Sequence, residues 1–324
     1  MLRRALTFLF ALSLTTTSRV SAQQPALALD AERRAAILAE IETRLTGMYI
    51  FPDVAAKMNE DLRARAARGE FDAMSDAESF AKRLTQTLQA VSRDKHLRVR
   101  AGPPGPPRGG PASGPGAARS AFGRAERLDG DVAYVEILSF GFPPEAVREE
   151  TQRIMSEAAD AKALIIDLRA NGGGSPHTVA LVTSYLFGDE PVHLNSLYFR
   201  PADRTDEFHT DPRVAGKKFG SAKPVYVLTS ARTFSGAEEF AYNLQARKRA
   251  TIVGETTGGG AHPSQGVPLP HGLVLIVPTG RAINPITRTN WEGVGVKPDV
   301  AVGADVALET AHRMAREAVA AGRR

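Results

Sequence analysis

Cysteine is absent from all 324 residues. That excludes disulfides and any cysteine-linked lipid anchor in these residues, and leaves stability to packing alone. The apolar run from Ala5 to Leu14 is ten residues long, too short to cross a bilayer. A basic cluster interleaved with aromatics is also missing, and no internal repeat is found. The formal charge is +5, and taking Arg3, Arg4 and Arg19 from the 41 basic residues leaves 38 against 36 acidic ones. The high isoelectric point is therefore no sign of a nucleic-acid partner.

The short apolar run makes sense as part of a secretion signal. Met1-Leu2-Arg3-Arg4 is a basic start, and Val20-Ser21-Ala22 fits the small-residue cleavage rule. A leader over residues 1–22 predicts a periplasmic or secreted protein with no membrane span. The remainder is long enough for one large core and a smaller subdomain.

Residues 30–92 read as three helices. The first shows Ile37, Leu38, Ile41 and Leu45 on one face; the second shows Val54, Met58 and Leu62. Ser75-Asp76-Ala77-Glu78 reads as a capping box opening the third, which buries Phe80, Leu84 and Leu88. Residues 102–117 are rich in Pro and Gly without periodicity, a surface segment rather than a core element. From residue 120 strands and helices alternate: strands at 132–137, 163–168, 224–229, 250–254 and 273–278, helices at 144–160, 175–187 and 236–247. Residues 304–321 read as a closing amphipathic helix, and 188–222 as an excursion over the site. The alternation predicts an α/β fold, a mixed sheet flanked by helices, with a small N-terminal helical bundle. The expected domains are 1–22 signal peptide, 23–93 three-helix subdomain, 94–119 strand and Pro/Gly segment, 120–303 catalytic domain and 304–324 C-terminal helix.

Two strand-to-helix turns carry chemistry. The strand Ala163-Leu164-Ile165-Ile166 runs through Asp167-Leu168-Arg169-Ala170 into Asn171-Gly172-Gly173-Gly174. Such a turn exposes backbone N–H groups that can hold an oxyanion, although glycine turns also bind phosphate. Pro224 to Thr229 runs into Ser230-Ala231-Arg232-Thr233-Phe234-Ser235-Gly236, and then into a helix. Ser235 there is either an ordinary N-cap or a nucleophile helped by the helix end, with the Gly236 amide aimed at an oxyanion.

Together these stretches resemble the tail-specific (C-terminal-processing) serine peptidases, in the branch that holds the tricorn core and the interphotoreceptor retinoid-binding protein repeats. The matching text is Ile165 to Gly174, Thr233 to Phe240, Arg249 to Thr257 and Trp291 to Asp299, with Asp94-Lys95-His96-Leu97 upstream. The resemblance implies a crotonase-like ββα arrangement and a peptidase acting on peptides or unfolded proteins, with no cofactor and no metal. The processing branch places a Lys base roughly 25 residues after its serine; that position is Gly260, and no Lys stands near it. The tricorn-like pattern instead implies Ser235 as nucleophile, His96 as base and Glu292 as the group that steadies the imidazolium. The oxyanion hole would be the amides of Gly236 and of Gly172 or Gly173.

The tricorn pattern has Ser immediately before its His, and here Lys95 stands there; Glu292 would reach His96 by another route. Read locally, His96 could be a strand-edge residue and Glu292 a turn residue. Glu238 and Glu239 suit a helix first turn, and Asp167 with Arg169 suits an ion pair holding the glycine turn. His262 is the reserve base, near where substrate would pass; His177 is a weaker candidate. The gap at 102–117 is too short for a peptide-binding PDZ domain. A binder of retinoids or fatty acids and an esterase remain alternative uses of the same fold.

Overall fold

A computed structural model of the chain describes residues 29–102 and 120–322. The leader at 1–22 and most of the Pro/Gly segment lie outside the described residues.

Three helices come first: α1 (Ala31–Met48), α2 (Pro52–Ala67) and α3 (Ala77–Ser92). Asp30 caps α1 by accepting from Arg33 N, and Asp76 rather than Ser75 caps α3 by accepting from Ser79 N. Pro52 opens α2, where its missing N–H costs nothing. Then follow β1 (Arg98–Ala101), β2 (Phe122–Leu128), β3 (Val132–Ile137), α4 (Pro144–Ala158), β4 (Ala163–Asp167) and α5 (Pro176–Ser184). Next come β5 (His193–Phe199), β6 (Arg204–His209), β7 (Val225–Thr229), α6 (Gly236–Ala246) and β8 (Thr251–Gly254). The chain finishes with β9 (Ser264–Leu269), β10 (Leu273–Pro278), β11 (Gly280–Ile283), β12 (Val300–Ala301) and α7 (Ala307–Ala321).

The main sheet has the order β12-β8-β7-β4-β3-β2 and is parallel except for β2 against β3. Its inner strands β3, β4, β7 and β8 are buried on both faces, so they read as continuous apolar runs rather than alternating ones. Ala133, Val135, Leu164, Ile166, Val225, Val227 and Ile252 join the core shared with α4, α5 and α6. Val132, Tyr134, Ala163, Ile165, Leu228 and Val253 face the stripe Ala307, Ala311, Ala315 and Val319 of α7. This is the expected mixed α/β sheet flanked by helices.

The N-terminal helices form a second core with β1, β9 and β10, which make a small antiparallel sheet. Thus 264–278 leaves the main sheet to cover the N-terminal bundle. The stretch 188–222 differs from a bare excursion: it contains the antiparallel pair β5–β6, which joins β11 in a third sheet. The parallel strands β4 and β7 both point their C-terminal ends at one edge, and the two glycine-bearing turns meet there.

Candidate active site

Hydrogen bonds lock the two turns to each other. Thr233 Oγ1 donates to Leu168 O at 2.8 Å, Ser230 Oγ to Arg169 O at 2.6 Å, and Phe234 N to Asn171 O at 3.1 Å. Buried Asn171 donates through Nδ2 to Ile137 O and accepts through Oδ1 from Gly173 N at 2.8 Å. Arg169 pairs with Asp167 at 2.6 Å, and Tyr134 OH donates to the same carboxylate. Those two charged residues hold the turn, as their spacing suggests.

Gly173 has φ +100°, and a Cβ there would lie 2.6 Å from Gly236 N and 2.8 Å from Ser235 Cβ. Only a glycine lets the turns close this far. Ser235 itself has φ +56° and ψ −122°. An N-cap normally holds extended backbone, and a non-glycine residue in this region is strained. Ser235 is half-exposed at the head of α6, where it closes a capping box with Glu238. Ser235 N donates to Glu238 Oε2 at 2.8 Å.

Buried Glu238 also accepts from Thr257 Oγ1, from Gly259 N at 2.6 Å and from Gly260 N at 2.9 Å. It therefore ties the serine turn to the loop 257–260. Burial pushes its carboxyl up, and these donors pull it part of the way back. Trp291 Nε1 donates to Gly260 O at 2.7 Å, which brings the Glu292 loop onto the same segment.

His96 arrives from the exit of α3. Its ring lies against Phe234, with centroids 4.6 Å apart, one residue from Ser235. A Cβ on Gly260 would stand 2.3 Å from Phe234 Cζ and 2.7 Å from His96 Cε1. The rings of Phe234 and His96 thus occupy the space a side chain at position 260 would take. Among the described residues His96 makes no hydrogen bond to Ser235, and its buried Nδ1 has no partner. Burial drives its pKa down to about 4, with Asp94 opposing the shift.

Asp94, at the head of the motif Asp94-Lys95-His96-Leu97, ties these groups together. Its Oδ1 accepts from His96 N at 2.9 Å, and its Oδ2 from His262 at 2.7 Å and from Tyr49 OH at 3.3 Å. An acid two residues before a candidate base was the available signal. Tyr49 comes from the end of α1 and carried no signal in the linear text; burial, helped by Asp94, raises its pKa.

Glu292 accepts from Ala261 N at 2.5 Å and lies 3.5 Å from His262 Nδ1, while its Oε1 is buried without a partner. Burial lifts its pKa to about 7. Burial also pushes His262 down, but the hydrogen bond and charge of Asp94, with the charge of Glu292, outweigh it and raise the pKa. Asp94, His96 and Glu292 present ligand-type atoms within 4.8 Å of one another. That spacing suits a proton network and is also one a small cation could reach.

Of the other candidates, Lys95 is exposed and donates through Nζ to Gly258 O at 2.5 Å, outside the carboxylate cluster. Gly173 N is committed to Asn171, whereas Gly236 N and Gly172 N have no acceptor among the described residues. Of the two turn glycines, Gly172 is therefore the one with a free amide. His177 is exposed and packs against Phe208.

Residues 131–302 match the model of peptidase family S41, over more than half the chain. The chain belongs to that family. Residues 23–126 match the N-terminal domain of peptidase S41 in eukaryotic IRBP. The S41 chain is 25% identical over 182 residues to a carboxy-terminal-processing protease of Bartonella bacilliformis, covering 54% of this chain and 40% of that one. It is 29% identical over 171 residues to the chloroplastic carboxyl-terminal-processing peptidase 2 of Arabidopsis thaliana, covering 52% and 31%. The chain thus spans well under half the length of these two relatives. Among solved structures, the tricorn protease shares the fold with a TM-score of 0.60 at 13% identity, covering 90% of this chain and 37% of that one. A photosystem II D1 C-terminal processing protease shares it at 0.54 and 17% identity, covering 86% and 95%.

Proposed function

We propose that this S41 chain is an exported serine endopeptidase that hydrolyses peptide bonds of peptides or unfolded proteins, with Ser235 as nucleophile. The observation that carries the reading is the strained backbone of Ser235 at a strand-to-helix turn, φ +56° and ψ −122°. A cap needs only extended backbone, so the strain goes beyond what the capping box of Ser235 with Glu238 requires, and it sets the serine at a sharp turn beside the free Gly236 and Gly172 amides. Export rests on the leader pattern of residues 1–22.

In this reading His96 takes the Ser235 Oγ proton as the oxygen attacks the scissile carbonyl. The Gly236 and Gly172 amides hold the resulting oxyanion. The imidazolium returns its proton to the leaving amine, and water repeats the sequence to release the acyl group. The reading uses His96 rather than a Lys as base; what supports it is Gly260, where a side chain would run into Phe234 and His96. Depressed to about 4, His96 is neutral at pH 7, the form a base needs. The unpartnered His96 Nδ1 and Glu292 Oε1 are the natural couple to steady the imidazolium. Catalytic hydrogen bonds commonly tighten only with substrate in place. Asp94 positions His96 through its backbone amide, and Lys95 stays outside the relay.

A fluorophosphonate probe on the purified protein tests this. Labelling is expected in the wild type, absent in Ser235→Ala, and slowed by about 100-fold or more in His96→Ala. Hydrolysis of unfolded casein beside a simple ester separates peptidase from esterase. A folded wild type that takes no label would overturn the reading and direct the next assay to retinoid and fatty-acid binding.

A further inference from the structure

The pair β5–β6 carries a second cluster, remote in sequence from the turns that hold Ser235. His193 and His209 are direct cross-strand partners in the antiparallel register. Their rings stack with centroids 4.6 Å apart and planes 20° apart. Glu207, two residues before His209, projects from the same face of β6, since side chains alternate along a strand. Its Oε2 lies 3.8 Å from His209 Nε2. All three side chains offer one ligand atom within 4.8 Å of the others.

We infer that His193, His209 and Glu207 form a binding site for a divalent transition ion, Zn2+ foremost. Two imidazoles and one carboxylate are a donor set that zinc takes readily, with a fourth position left to water. Zinc bonds of about 2.0–2.1 Å need the donors to close by an ångström or so, which exposed side chains do at small cost. Glu207 and His209 are exposed, so an ion enters from solvent; His193 is half-buried and anchors the site. The register shift between His193 and Asn195 is a bulge, the usual device for re-aiming a side chain. His193 Nε2 contacts Ser196 Oγ at 2.9 Å, a partner that can orient the ring. The Arg247 guanidinium donates to the His193 carbonyl and so lies on the backbone of the site rather than among its ligands.

The stacked rings set two imidazole nitrogens side by side, where one ion can meet both. The carboxylate beside them adds the charge that draws a cation. Because β6 is the edge of its sheet, an ion there would clamp the end of an edge strand to its inner neighbour. The site is independent of proteolysis, and the family resemblance calls for no metal.

The test is calorimetric titration of Zn2+ into the full chain, free of any polyhistidine tag and stripped with EDTA, alongside thermal unfolding. One saturable site is expected. The unfolding midpoint should rise by about 5 °C with Zn2+ at 100 times its Kd, and EDTA should reverse the rise. Loss of an outer-shell partner alone costs zinc affinity 10–100-fold, so His209→Ala and Glu207→Gln should each weaken binding by at least about tenfold. Both positions are exposed, and their circular dichroism should match the wild type. Absence of binding overturns the inference. Binding that survives His209→Ala but is lost in His96→Ala also overturns it, because the ion would then sit at the Asp94–His96–Glu292 cluster.

Discussion

At the scale of single residues, the arrangement depends on pairing groups that burial drives in opposite directions. His96 falls to about 4 and Glu292 rises to about 7, both chiefly because water is excluded from them. At pH 7 His96 is already deprotonated, so it does not set the acid limb of activity. In the proposed relay Glu292 does, since only its carboxylate would stabilise an imidazolium on His96. Glu292 and His262 lie 3.5 Å apart, so the apparent pKa belongs to the pair. The kcat/KM of the wild type should therefore rise with pH through an apparent pKa near 7. Glu292→Gln should lose that limb and fall in kcat by about 100-fold or more. A wild-type limb near pH 4 would show that His96 titrates without help from Glu292. Ser235 and the glycine turn were legible in the sequence because strand, turn and helix are contiguous there. The carboxylate network was not: Asp94 and His262 stand 168 positions apart, and only the fold joins them.

At the scale of elements, α7 shows how small side chains set a distance. Ala307, Ala311 and Ala315 are fully buried against Val132, Tyr134, Ile165 and Leu228 of the sheet. At these three positions the helix presents only methyl groups to the sheet, which leaves no space for a larger residue. Ala315→Leu should overpack this contact and cost about 1–3 kcal/mol. The check is a lowered urea midpoint with an unchanged slope. A neutral result would mean that α7 can slide on the sheet. Helices such as α3 were readable because Phe80, Leu84 and Leu88 recur at helical spacing and are all buried. The pair β5–β6 was not readable: buried residues run consecutively from Leu194 to Leu197, with Asn195 and Ser196 among them, so no two-residue alternation appears. β11 and β12 are shorter still, and their pairing with distant partners outweighs local propensity.

At the scale of the whole molecule, two buried carboxyls side by side at the head of α6 tie stability to pH. Glu238 is compensated by four donors, whereas the Oε1 of Glu239 has no partner. Burial raises Glu239 from an ordinary 4.5 to about 7, with Asn195 pulling the other way. A folded-state pKa above the unfolded one gives stability that is full below pH 4.5 and is lost as pH rises through 7. Glu292 shifts in the same direction and adds to the loss. His96 works oppositely: its contribution is full above 6.5 and disappears as pH falls through 4. The sum places maximum stability on the acid side of neutrality and a decline toward pH 8. Glu239 alone accounts for roughly 3 kcal/mol of that decline. Glu239→Gln keeps the shape without the titrating proton, so its urea midpoint should match the wild type near pH 5 and exceed it at pH 8. A wild type as stable at pH 8 as at pH 5 would mean that water reaches Glu239 and that the head of α6 is less tightly sealed than its packing implies.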